Sequence, residues 1–464
     1  MIRLSLKELK DIIKVEVLNP SCDEHTPSCG ISIDSRTIQK ENIFFALKGE
    51  NFDGHDFVKD ALDKEAAGVV IEKDKVEKLK HLAKGDAFFV AVENTRFALG
   101  QVARWYARKF DLKTVAITGT NGKTTTKDMV AGVLAEKYSV LKSPRSYNNL
   151  VGIPLTLFQL TPKTEALVVE LGTTDLGQIG LLTELTSPDV GIITNIGPAH
   201  LESMKTIERI ARAKFELVEG LKKDSIAILN IDDPIISEKM KKEKIKALTF
   251  GMKNKADYFA RKISFSDKGW VSFSIDDLSI KLRLLGEHNV YNALAAFAAG
   301  ERLGLEKSVI KRALENYHPS EFRMELVEIG GIRVINDSYN ANPVSVKKAL
   351  ETLKGMRCQG RKIVLLGDML ELGEKSEHFH EEIGKLVPQA DVDFLLTVGR
   401  LSEAVARSAK DSNMNSTRVL SFSEKEDASA YLKKNLLDGD LLLVKGSRRM
   451  ELDKVVEALK NKKS

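Results

Sequence analysis

The sequence predicts an α/β protein of three domains: a small α/β N-terminal domain, a central parallel-sheet domain with a P-loop, and a C-terminal Rossmann-like, doubly wound domain. Its 464 residues are too many for one ordinary domain and favour about three. Apolar runs of strand length alternate with helical segments, which is typical of parallel sheets covered on both faces. One of these runs leads into a glycine-containing loop that opens a helix.

The first predicted domain covers residues 1–93. Its predicted strands are I-S-I-D-S-R, N-I-F-F-A-L-K-G and G-V-V-I, and F-V-K-D-A-L-D-K is a helical segment between the last two. An amphipathic helix predicted over residues 95–109 leads into the second domain.

The second and third predicted domains cover residues 94–316 and 317–464. In the second, A-L-V-V-E-L-G, V-G-I-I-T-N-I-G and S-I-A-I-L-N read as buried strands, followed by a hairpin-like segment at 258–284 and an alanine-rich helix at 289–302. In the third, the predicted strands are R-V-I-N-D, K-I-V-L-L-G-D, F-L-L-T-V-G and D-L-L-L-V-K-G. Helical segments separate them, so a second doubly wound sheet is expected.

The composition is typical of a soluble globular enzyme, with 43% apolar and 30% charged residues. The net charge of +5 is spread among nearly as many acids as bases, and no basic stripe interleaved with aromatics indicates a nucleic-acid partner. Three cysteines without a C-x-x-C pattern indicate a reducing compartment. The charged N-terminus lacks a signal core, and no segment approaches the roughly 18 apolar residues that cross a bilayer. We expect a cytoplasmic monomer without a membrane span.

The most informative segment is V-A-I-T-G-T-N-G-K-T-T-T-K at residues 115–127. Backbone N–H groups of such a loop and the N-terminus of the following helix bind phosphate, Lys123 can reach terminal phosphates, and Thr124 can ligate Mg²⁺. The common P-loop pattern has a glycine where this chain has Ile117. A short G-x-x-G-K-T also occurs in structural turns, but the strand before it and the helix after it favour nucleotide binding.

Other polar residues follow predicted strands, where ligands gather in doubly wound sheets. Glu170 ends one strand and suits a second Mg²⁺ ligand, although a carboxylate there can also cap a turn. His200 follows the T-N-I-G strand, and taken singly it is as readily a surface or core residue. Lys214 alone reads as a solvated helix residue, and Asn148 and Asn149 alone read as an ordinary turn before a helix.

Taken together and in order, these segments resemble those of the Mur ligases, ATP-dependent amide-forming enzymes of peptidoglycan precursor synthesis. The resemblance covers essentially the whole chain and includes D-S-R at 34–36 and D-G-H at 53–55. The segments that carry it are G-T-N-G-K-T-T, N-N-x-x-G-x-P, E-L-G, T-N-I-G-x-A-H-L-E, A-K-F-E-L, G-E-H-N-x-x-N-A-L-A-A and N-D-S-Y-N-A-N-P.

Within the family, N-D-S-Y-N-A-N-P at 336–343 and L-G-D-M-L-E-L-G at 366–373 resemble the members that add D-alanyl-D-alanine to the UDP-N-acetylmuramoyl tripeptide. Relatives that add diaminopimelate or lysine carry a histidine-containing version of the first motif. The diaminopimelate-adding relatives also carry D-N-P-R, which this chain lacks. The resemblance therefore implies an acid–amine ligase that forms ADP and phosphate.

The resemblance also implies roles for individual residues. The phosphates of ATP would be bound by Gly119, Thr120, Asn121, Gly122, Lys123, Thr124 and Thr125. Contacts to adenine, ribose and phosphate would also come from Asn289, Arg323, Asp337 and Tyr339. The UDP-sugar and peptide substrates would contact Ser35, Arg36, Asn148, Asn149, Asn340 and Asn342. Two Mg²⁺ ions are implied, the first on Thr124 and Glu170, the second on His200 and a carbamylated Lys214. A carbamate supplies the oxygen ligands that an ammonium lacks.

The sequence departs from the family pattern near the expected peptide site. Gln178 stands where an acid is frequent, and Thr173 and Thr174 stand where alanine and asparagine are common. The expected metal and phosphate ligands are intact.

The predicted reaction transfers the γ-phosphoryl group of ATP to the tripeptide carboxylate, and the amine of D-alanyl-D-alanine then attacks the acyl phosphate. The alternatives are a sister Mur ligase with another amino-acid donor or a folylpolyglutamate synthase-like ligase. A different class, a P-loop switch protein without ligase activity, is disfavoured because a switch needs no second metal site at His200 and Lys214.

Overall fold

The N-terminal part of the computed structural model forms a five-stranded sheet, and the structure as a whole describes residues 2–19, 22–144 and 147–461. The elements are β1 (Arg3–Leu4), α1 (Leu6–Ile12), β2 (Glu16–Val17), β3 (Ser28–Cys29), β4 (Ile31–Ser32), β5 (Ile43–Phe45), α2 (Val58–Asp63), β6 (Gly68–Glu72), α3 (Val76–Leu79), β7 (Phe88–Val92) and α4 (Thr95–Ala107). The sheet order is β2-β7-β6-β5-β4, with β2 antiparallel to β7 and the other strands parallel, while β1 and β3 pair separately.

Helix α4 joins the N-terminal sheet to the central domain. Asn94 caps it by accepting a hydrogen bond from Phe97 N, and its apolar face is buried. One apolar core contains Leu6 of α1, Leu99 of α4 and Leu157 of the central domain, so the two domains are packed on a shared core.

The central part of the chain contains nine strands in one sheet. Its elements are β8 (Lys113–Thr118), α5 (Lys123–Ala135), β9 (Val140–Lys142), α6 (Gly152–Leu157), β10 (Ala166–Glu170), α7 (Gln178–Thr186), β11 (Val190–Ile193), α8 (Leu201–Met204), α9 (Ile207–Glu219), β12 (Ile226–Asn230), α10 (Pro234–Glu243), β13 (Ala247–Gly251), β14 (Tyr258–Phe265), β15 (Trp270–Ile275), β16 (Leu278–Leu285), α11 (His288–Arg302) and α12 (Lys307–Glu315).

The order of this sheet is β16-β15-β14-β13-β12-β11-β8-β10-β9. Strands β8 to β14 are parallel, and the predicted hairpin-like segment is the antiparallel β14–β15–β16 extension. The chain leaves β8, forms β9 and β10 on one side, and then crosses to β11 on the other. This reversal places the switch point, where doubly wound sheets bind ligands, at the carboxyl end of β8.

The C-terminal part forms a six-stranded sheet. Its elements are β17 (Glu325–Ile329), β18 (Ile332–Asp337), α13 (Pro343–Gly355), β19 (Lys362–Gly367), α14 (Ser376–Leu386), β20 (Phe394–Val398), α15 (Glu403–Asp411), β21 (Val419–Phe422), α16 (Lys425–Asn435), β22 (Leu441–Lys445) and α17 (Asp453–Lys460). The order is β17-β18-β22-β19-β20-β21, and only β17 is antiparallel to its neighbour.

Apolar cores cover both faces of the C-terminal sheet, one against α13, α14 and α15 and the other against α16 and α17. This is the doubly wound arrangement that the sequence predicts, and the three-domain α/β fold class is confirmed. The predicted domain limits of 93 and 316 remain expectations. In the described part of the chain, no helix combines the length and the apolar character needed to span a membrane.

Candidate active site

A cleft of about 760 Å³ opens at the carboxyl end of β8. Its walls come from the central domain, from the C-terminal domain, and from Glu50 and Arg96 of the N-terminal side. All but two of the predicted site residues line it, the exceptions being Ser35 and Arg36. The structure therefore brings together predicted residues whose separation along the sequence reaches about half the length of the chain.

The phosphate-binding loop has a backbone that only glycine fits. Gly119 and Gly122 have φ angles of 146° and 81°, in the region that side chains disfavour. A Cβ atom at Gly119 would overlap Thr194 Oγ1, and one at Gly122 would overlap Asn292 Oδ1. Both glycines are therefore required by conformation and by close packing.

The loop after β11 fixes the other side of the phosphate-binding loop. Asn195 accepts hydrogen bonds from Thr120 N and Asn121 N, through its backbone and side-chain oxygens respectively, both over 2.9 Å. Thr194 Oγ1 donates to Asn121 O over 2.6 Å. These contacts hold the loop on the side of β11, and the start of α5 remains open to the cleft.

Lys123 is the first residue of α5, and its ammonium donates to Gly119 O and Thr120 O over 2.9 and 3.0 Å. The side chain is thus folded over the loop that is expected to hold phosphate. Burial lowers the pKa of Lys123, Glu170 opposes that shift, and the nearby Arg323 adds to it. Two cations at one site favour an anionic ligand there.

Glu170, at the end of β10, lies directly beside Thr124. Thr124 Oγ1 donates to Glu170 Oε2 over 2.6 Å, and Asn148 Nδ2 donates to Glu170 Oε1 over 2.9 Å. Burial raises the pKa of this carboxyl, but the charge of Lys123 and these hydrogen bonds outweigh it, so the pKa lies below its usual value. Glu170 is therefore a buried carboxylate anion.

Lys214 lies on α9 with its side chain buried and facing the cleft. Burial lowers the pKa of its ammonium to about 7, the charge of Lys123 acts in the same direction, and Glu170 acts against it. Among the described residues, no hydrogen bond or ion pair holds its ammonium group. Near neutral pH Lys214 is therefore present as an unprotonated, nucleophilic amine far more often than an ordinary lysine.

His200 lies at the rim of the cleft, where it precedes α8 in a left-handed conformation with φ of 53°. Its Nδ1 is 2.6 Å from Glu371 Oε2 of the C-terminal domain. The hydrogen bond from His200 lowers the pKa of Glu371. No local pattern in the sequence indicated this partner, because the two residues belong to different predicted domains.

The donor chemistry of the cleft suits Mg²⁺ at the first expected site. Thr124 and Glu170 supply a hydroxyl and a carboxylate oxygen 2.6 Å apart, and such oxygens are the ligands that Mg²⁺ prefers. No group of three or more His, Cys, Asp or Glu side chains converges on one point among the described residues. The second expected site accordingly depends on Lys214 becoming an oxygen ligand.

Arg323 reaches the central domain from the start of the C-terminal domain. Its Nη2 donates to Thr124 Oγ1 over 2.9 Å, and its guanidinium carbon lies 3.9 Å from the ring centre of Tyr339. Stacking on the tyrosine fixes the guanidinium plane next to the phosphate-binding loop. Both residues are predicted nucleotide contacts.

Asp337, at the end of β18, is paired with a lysine that the sequence prediction missed. Lys445 Nζ, at the end of β22, donates to Asp337 Oδ2 over 2.6 Å and to Asn340 O over 2.8 Å. The lysine side chain is only 2% exposed. The sequence did contain a sign of this lysine. It ends the otherwise apolar run D-L-L-L-V-K-G, at a strand position where an apolar residue is expected.

Asn289 and its neighbours form an amide network under the loop. Asn289 donates to Leu285 O and accepts from Asn292 Nδ2, each over 2.8 Å, and Asn292 accepts from Thr126 Oγ1 over 3.2 Å. Asn292 was not among the predicted residues, although it stands in the quoted G-E-H-N-x-x-N-A-L-A-A segment.

Asn149 has a local structural role: its side-chain oxygen accepts from Val151 N and Gly152 N at the start of α6. The remaining predicted contacts lie elsewhere. Ser35 is buried in the N-terminal domain, and the exposed Arg36 forms a two-pronged ion pair with Asp34. Neither Ser35 nor Arg36 lines the cleft.

The three residues that depart from the family pattern, Gln178, Thr173 and Thr174, hydrogen-bond to one another in the structure. Gln178 Oε1 accepts from Thr173 Oγ1 over 3.2 Å and from Thr174 N over 3.1 Å. An uncharged amide therefore closes the loop between β10 and α7, and all three residues line the cleft.

Comparison with protein families gives three matches in chain order. Residues 29–107 match the catalytic domain of the Mur ligase family, residues 117–300 match the Mur ligase middle domain, and residues 322–448 match the glutamate ligase domain of Mur ligases. Together they cover most of the chain.

Two curated relatives carry the same name, UDP-N-acetylmuramoyl-tripeptide–D-alanyl-D-alanine ligase. The protein of Bacillus subtilis is 35% identical over 462 residues, which is 99% of each chain. The protein of Escherichia coli is 30% identical over 473 residues, again 99% of each chain.

Two solved structures are similar over nearly their whole length. MurF from Acinetobacter baumannii aligns with a TM-score of 0.90 and 26% identity, covering 100% of both chains. MurF ligase from Thermotoga maritima in complex with ADP aligns with a TM-score of 0.83 and 28% identity, covering 94% of this chain and 97% of the other. The chain belongs to the Mur ligase family.

Proposed function

We propose that this protein is an ATP-dependent ligase that joins D-alanyl-D-alanine to UDP-N-acetylmuramoyl tripeptide and forms ADP and phosphate. Relatives named for that reaction match this chain over 99% of its length at up to 35% identity, which supports the choice of substrates. The observation that carries the reaction class is the single cleft that Lys123, Glu170, Lys214 and Arg323 line together.

ATP is the phosphoryl donor in this proposal, and a relative of similar fold is described in complex with ADP. The β- and γ-phosphates lie on the backbone N–H groups of residues 119–125 and the start of α5. Lys123 turns from Gly119 O and Thr120 O to the terminal phosphates, and Arg323 lies on their other side. Asn289, Asp337 and Tyr339 contact the adenine and ribose.

Two Mg²⁺ ions would be held by this chain, one by Thr124 and Glu170 and the other by His200 and a carbamylated Lys214. When bound, they would neutralise charge on the phosphates during transfer.

The carbamate on Lys214 follows from the state of its amine. The unprotonated nitrogen attacks the carbon of CO₂, an N–C bond forms as one C=O π bond opens onto oxygen, and one proton leaves from nitrogen to water. The product carries two oxygen acceptors that share one negative charge, in place of an ammonium. The lowered pKa of Lys214, at about 7, supports this step because it makes the reacting form abundant near neutral pH.

The reaction then proceeds through two successive nucleophilic attacks. A tripeptide carboxylate oxygen attacks the γ-phosphorus and ADP leaves, and the amine of D-alanyl-D-alanine then attacks the acyl carbon, losing a proton as phosphate leaves. Placing the amine and acyl phosphate side by side can supply on the order of 7–11 kcal/mol of the barrier. Contacts from the C-terminal domain to the phosphate-binding loop and to the start of α5 support a cleft that excludes water from the acyl phosphate.

Each domain has its own part in this proposal. Residues 1–93 bind the UDP-sugar through Ser35 and Arg36, residues 94–316 bind ATP, and residues 317–464 close over ATP and bind the incoming amine. Asn148 and Asn149 help to bind the UDP-sugar end of the substrate, and Asn340 and Asn342 are further substrate contacts. The protein acts as a monomer in this proposal, and it works in the cytoplasm, which its three free cysteines support.

The test is ADP release from the purified protein with ATP, Mg²⁺ and UDP-N-acetylmuramoyl tripeptide, supplying each candidate amine in turn. We expect D-alanyl-D-alanine to raise ADP release well above the blank without amine, and other amino acids or glutamate-accepting folates to leave it at the blank. Release with another amine alone would assign a sister ligase, and release with no amine at all would replace the proposal with a phosphohydrolase.

A further inference from the structure

The contact between His200 and Glu371 joins the central domain to the C-terminal domain at the rim of the cleft. His200 Nδ1 lies 2.6 Å from Glu371 Oε2. In the same place Glu202 N donates to Glu371 O over 3.2 Å, so a backbone contact accompanies the side-chain contact. The two loops therefore meet in one defined register.

Both loops have unusual backbones at this contact. His200 and Glu371 have φ angles of 53° and 65°, a region that residues other than glycine seldom adopt. Gly373 follows at φ of 61°, and a Cβ there would lie 3.4 Å from the backbone of Glu202. For His200 and Glu371 such a conformation is strained, and it persists because the surrounding structure holds it.

The hydrogen bond determines which nitrogen of His200 is available. A carboxylate only accepts, so Nδ1 carries the proton and donates to Glu371 Oε2. A neutral imidazole with its proton on Nδ1 has its free lone pair on Nε2. In water the neutral ring prefers the opposite tautomer, so the carboxylate selects the form with Nε2 free.

We propose that Glu371 is a positioning residue for His200, which fixes its tautomer and ring orientation so that Nε2 can bind a divalent cation when the C-terminal domain contacts the central domain. The inference rests on the proposed function, in which His200 is a cation ligand. It assigns a role to the L-G-D-M-L-E-L-G segment, which the proposed reaction leaves unused. Carboxylates that orient ligating histidines typically change metal affinity or activity by about 10–100-fold when removed.

The first test observes His200 directly. The full-length protein, labelled with nitrogen-15 histidine and bound to a non-hydrolysable ATP analogue, is compared as wild type, Glu371→Ala and Glu371→Gln, with His200 assigned through His200→Gln. We expect the Nδ1–H tautomer in the wild type and in Glu371→Gln, whose amide oxygen still accepts, and mostly the Nε2–H tautomer in Glu371→Ala. An Nε2–H tautomer in the wild type, or no change in Glu371→Ala, would overturn the proposal.

The second test measures ADP release against free Mg²⁺ at saturating substrates. For Glu371→Ala we expect the half-saturating Mg²⁺ concentration to rise about 10-fold or more. Glu371→Gln should stay within about threefold of wild type. Glu374→Ala, an exposed glutamate in the same loop, is the matched control and should match wild type. A lower kcat with unchanged Mg²⁺ dependence would indicate only a structural contact and contradict the proposal. Failure of the proposed function would instead appear as no ADP release by the wild type, while the tautomer measurement would still be readable.

Discussion

Asn121 in the phosphate-binding loop and Asn342 at the start of α13 exchange amide hydrogen bonds across the cleft. Asn342 Nδ2 donates to Asn121 Oδ1 over 2.8 Å, and Asn121 Nδ2 donates to Asn342 Oδ1 over 3.3 Å. Asn342 Oδ1 also caps α13 by accepting from Ser345 N over 2.9 Å. One side chain thus both starts a helix of the C-terminal domain and binds the loop that is proposed to hold ATP.

Substitution of Asn342 separates these two roles. Asn342→Ala should lower the free energy of unfolding by about 1 kcal/mol because the helix loses its cap. Asn342→Ser should keep the cap but is too short to reach Asn121, so its stability should remain near wild type. In both variants we expect KM for ATP to rise roughly tenfold, as two net hydrogen bonds of about 0.5–1.5 kcal/mol disappear. Denaturant unfolding and steady-state kinetics measure the two effects, and an unchanged KM in Asn342→Ser would contradict the second role.

Replacement by alanine should have opposite effects on stability at two glycines, one in the phosphate-binding loop and one in the helix that follows it. Gly122→Ala places a Cβ against Asn292 Oδ1 at a φ of 81°, so we expect ATP binding to be lost together with stability. Gly132→Ala, at an exposed position in the last turn of α5 with open space around it, should raise the free energy of unfolding by roughly 0.5–1 kcal/mol and leave ATP binding unchanged. Thermal unfolding and titration with a fluorescent ATP analogue test both. A well-folded Gly122→Ala protein with wild-type affinity would disprove the strain argument.

Lys123→Ala should abolish turnover, with a loss of at least about 1,000-fold, because no other lysine faces the phosphates from the start of α5. The fold should survive, since the ammonium bonds only to two carbonyls of its own loop. Lys137→Ala, which removes an exposed lysine just beyond the other end of α5, is the control and should retain activity. ADP release under saturating substrates is the measurement, and residual turnover within tenfold of wild type would remove Lys123 from the mechanism.

Much of the fold and the cleft was predictable because the signals are local. The phosphate-binding loop, Glu170 and His200 follow apolar strands, and parallel strands bring their carboxyl ends to one edge of a sheet. Strands β9, β13, β17 and β21 were missed because they are less apolar, and their place in a sheet depends on neighbours distant in sequence. The buried strand β7 was missed although its residues are all apolar.

The contacts between domains were not predictable, because no local pattern encodes them. Asp337 and its partner Lys445 are 108 residues apart, and each could have met several other charges. His200 and Glu371 belong to different domains, so only the packing of those domains pairs them. For the same reason the sequence did not reveal that Ser35 and Arg36 lie outside the main cleft.

Lys214 makes the most direct prediction of pH dependence. Its pKa of about 7 means that the unprotonated amine, which alone reacts with CO₂, falls about tenfold for each pH unit below that value. At a fixed total concentration of carbon-13 bicarbonate and dissolved CO₂, the carbamate resonance of the protein should therefore rise with pH through 7 and level off above it, because the share of CO₂ then falls in step with the protons that carbamate formation releases. An ordinary surface lysine, with a pKa near 10.4, would still be gaining carbamate over that plateau.

Lys214→Ala should lack this resonance and lose most activity, and added bicarbonate or short carboxylic acids should restore part of it by entering the space that the side chain leaves. Lys222→Ala, an exposed lysine shortly after α9, is the matched control and should keep both the resonance and the activity. The two readouts are separable: if Lys214→Ala is as active as wild type, the carbamate is not needed. If the resonance persists in Lys214→Ala, it belongs to another amine. Only loss of both together, with partial chemical rescue, supports a carbamylated Lys214 as a cation ligand.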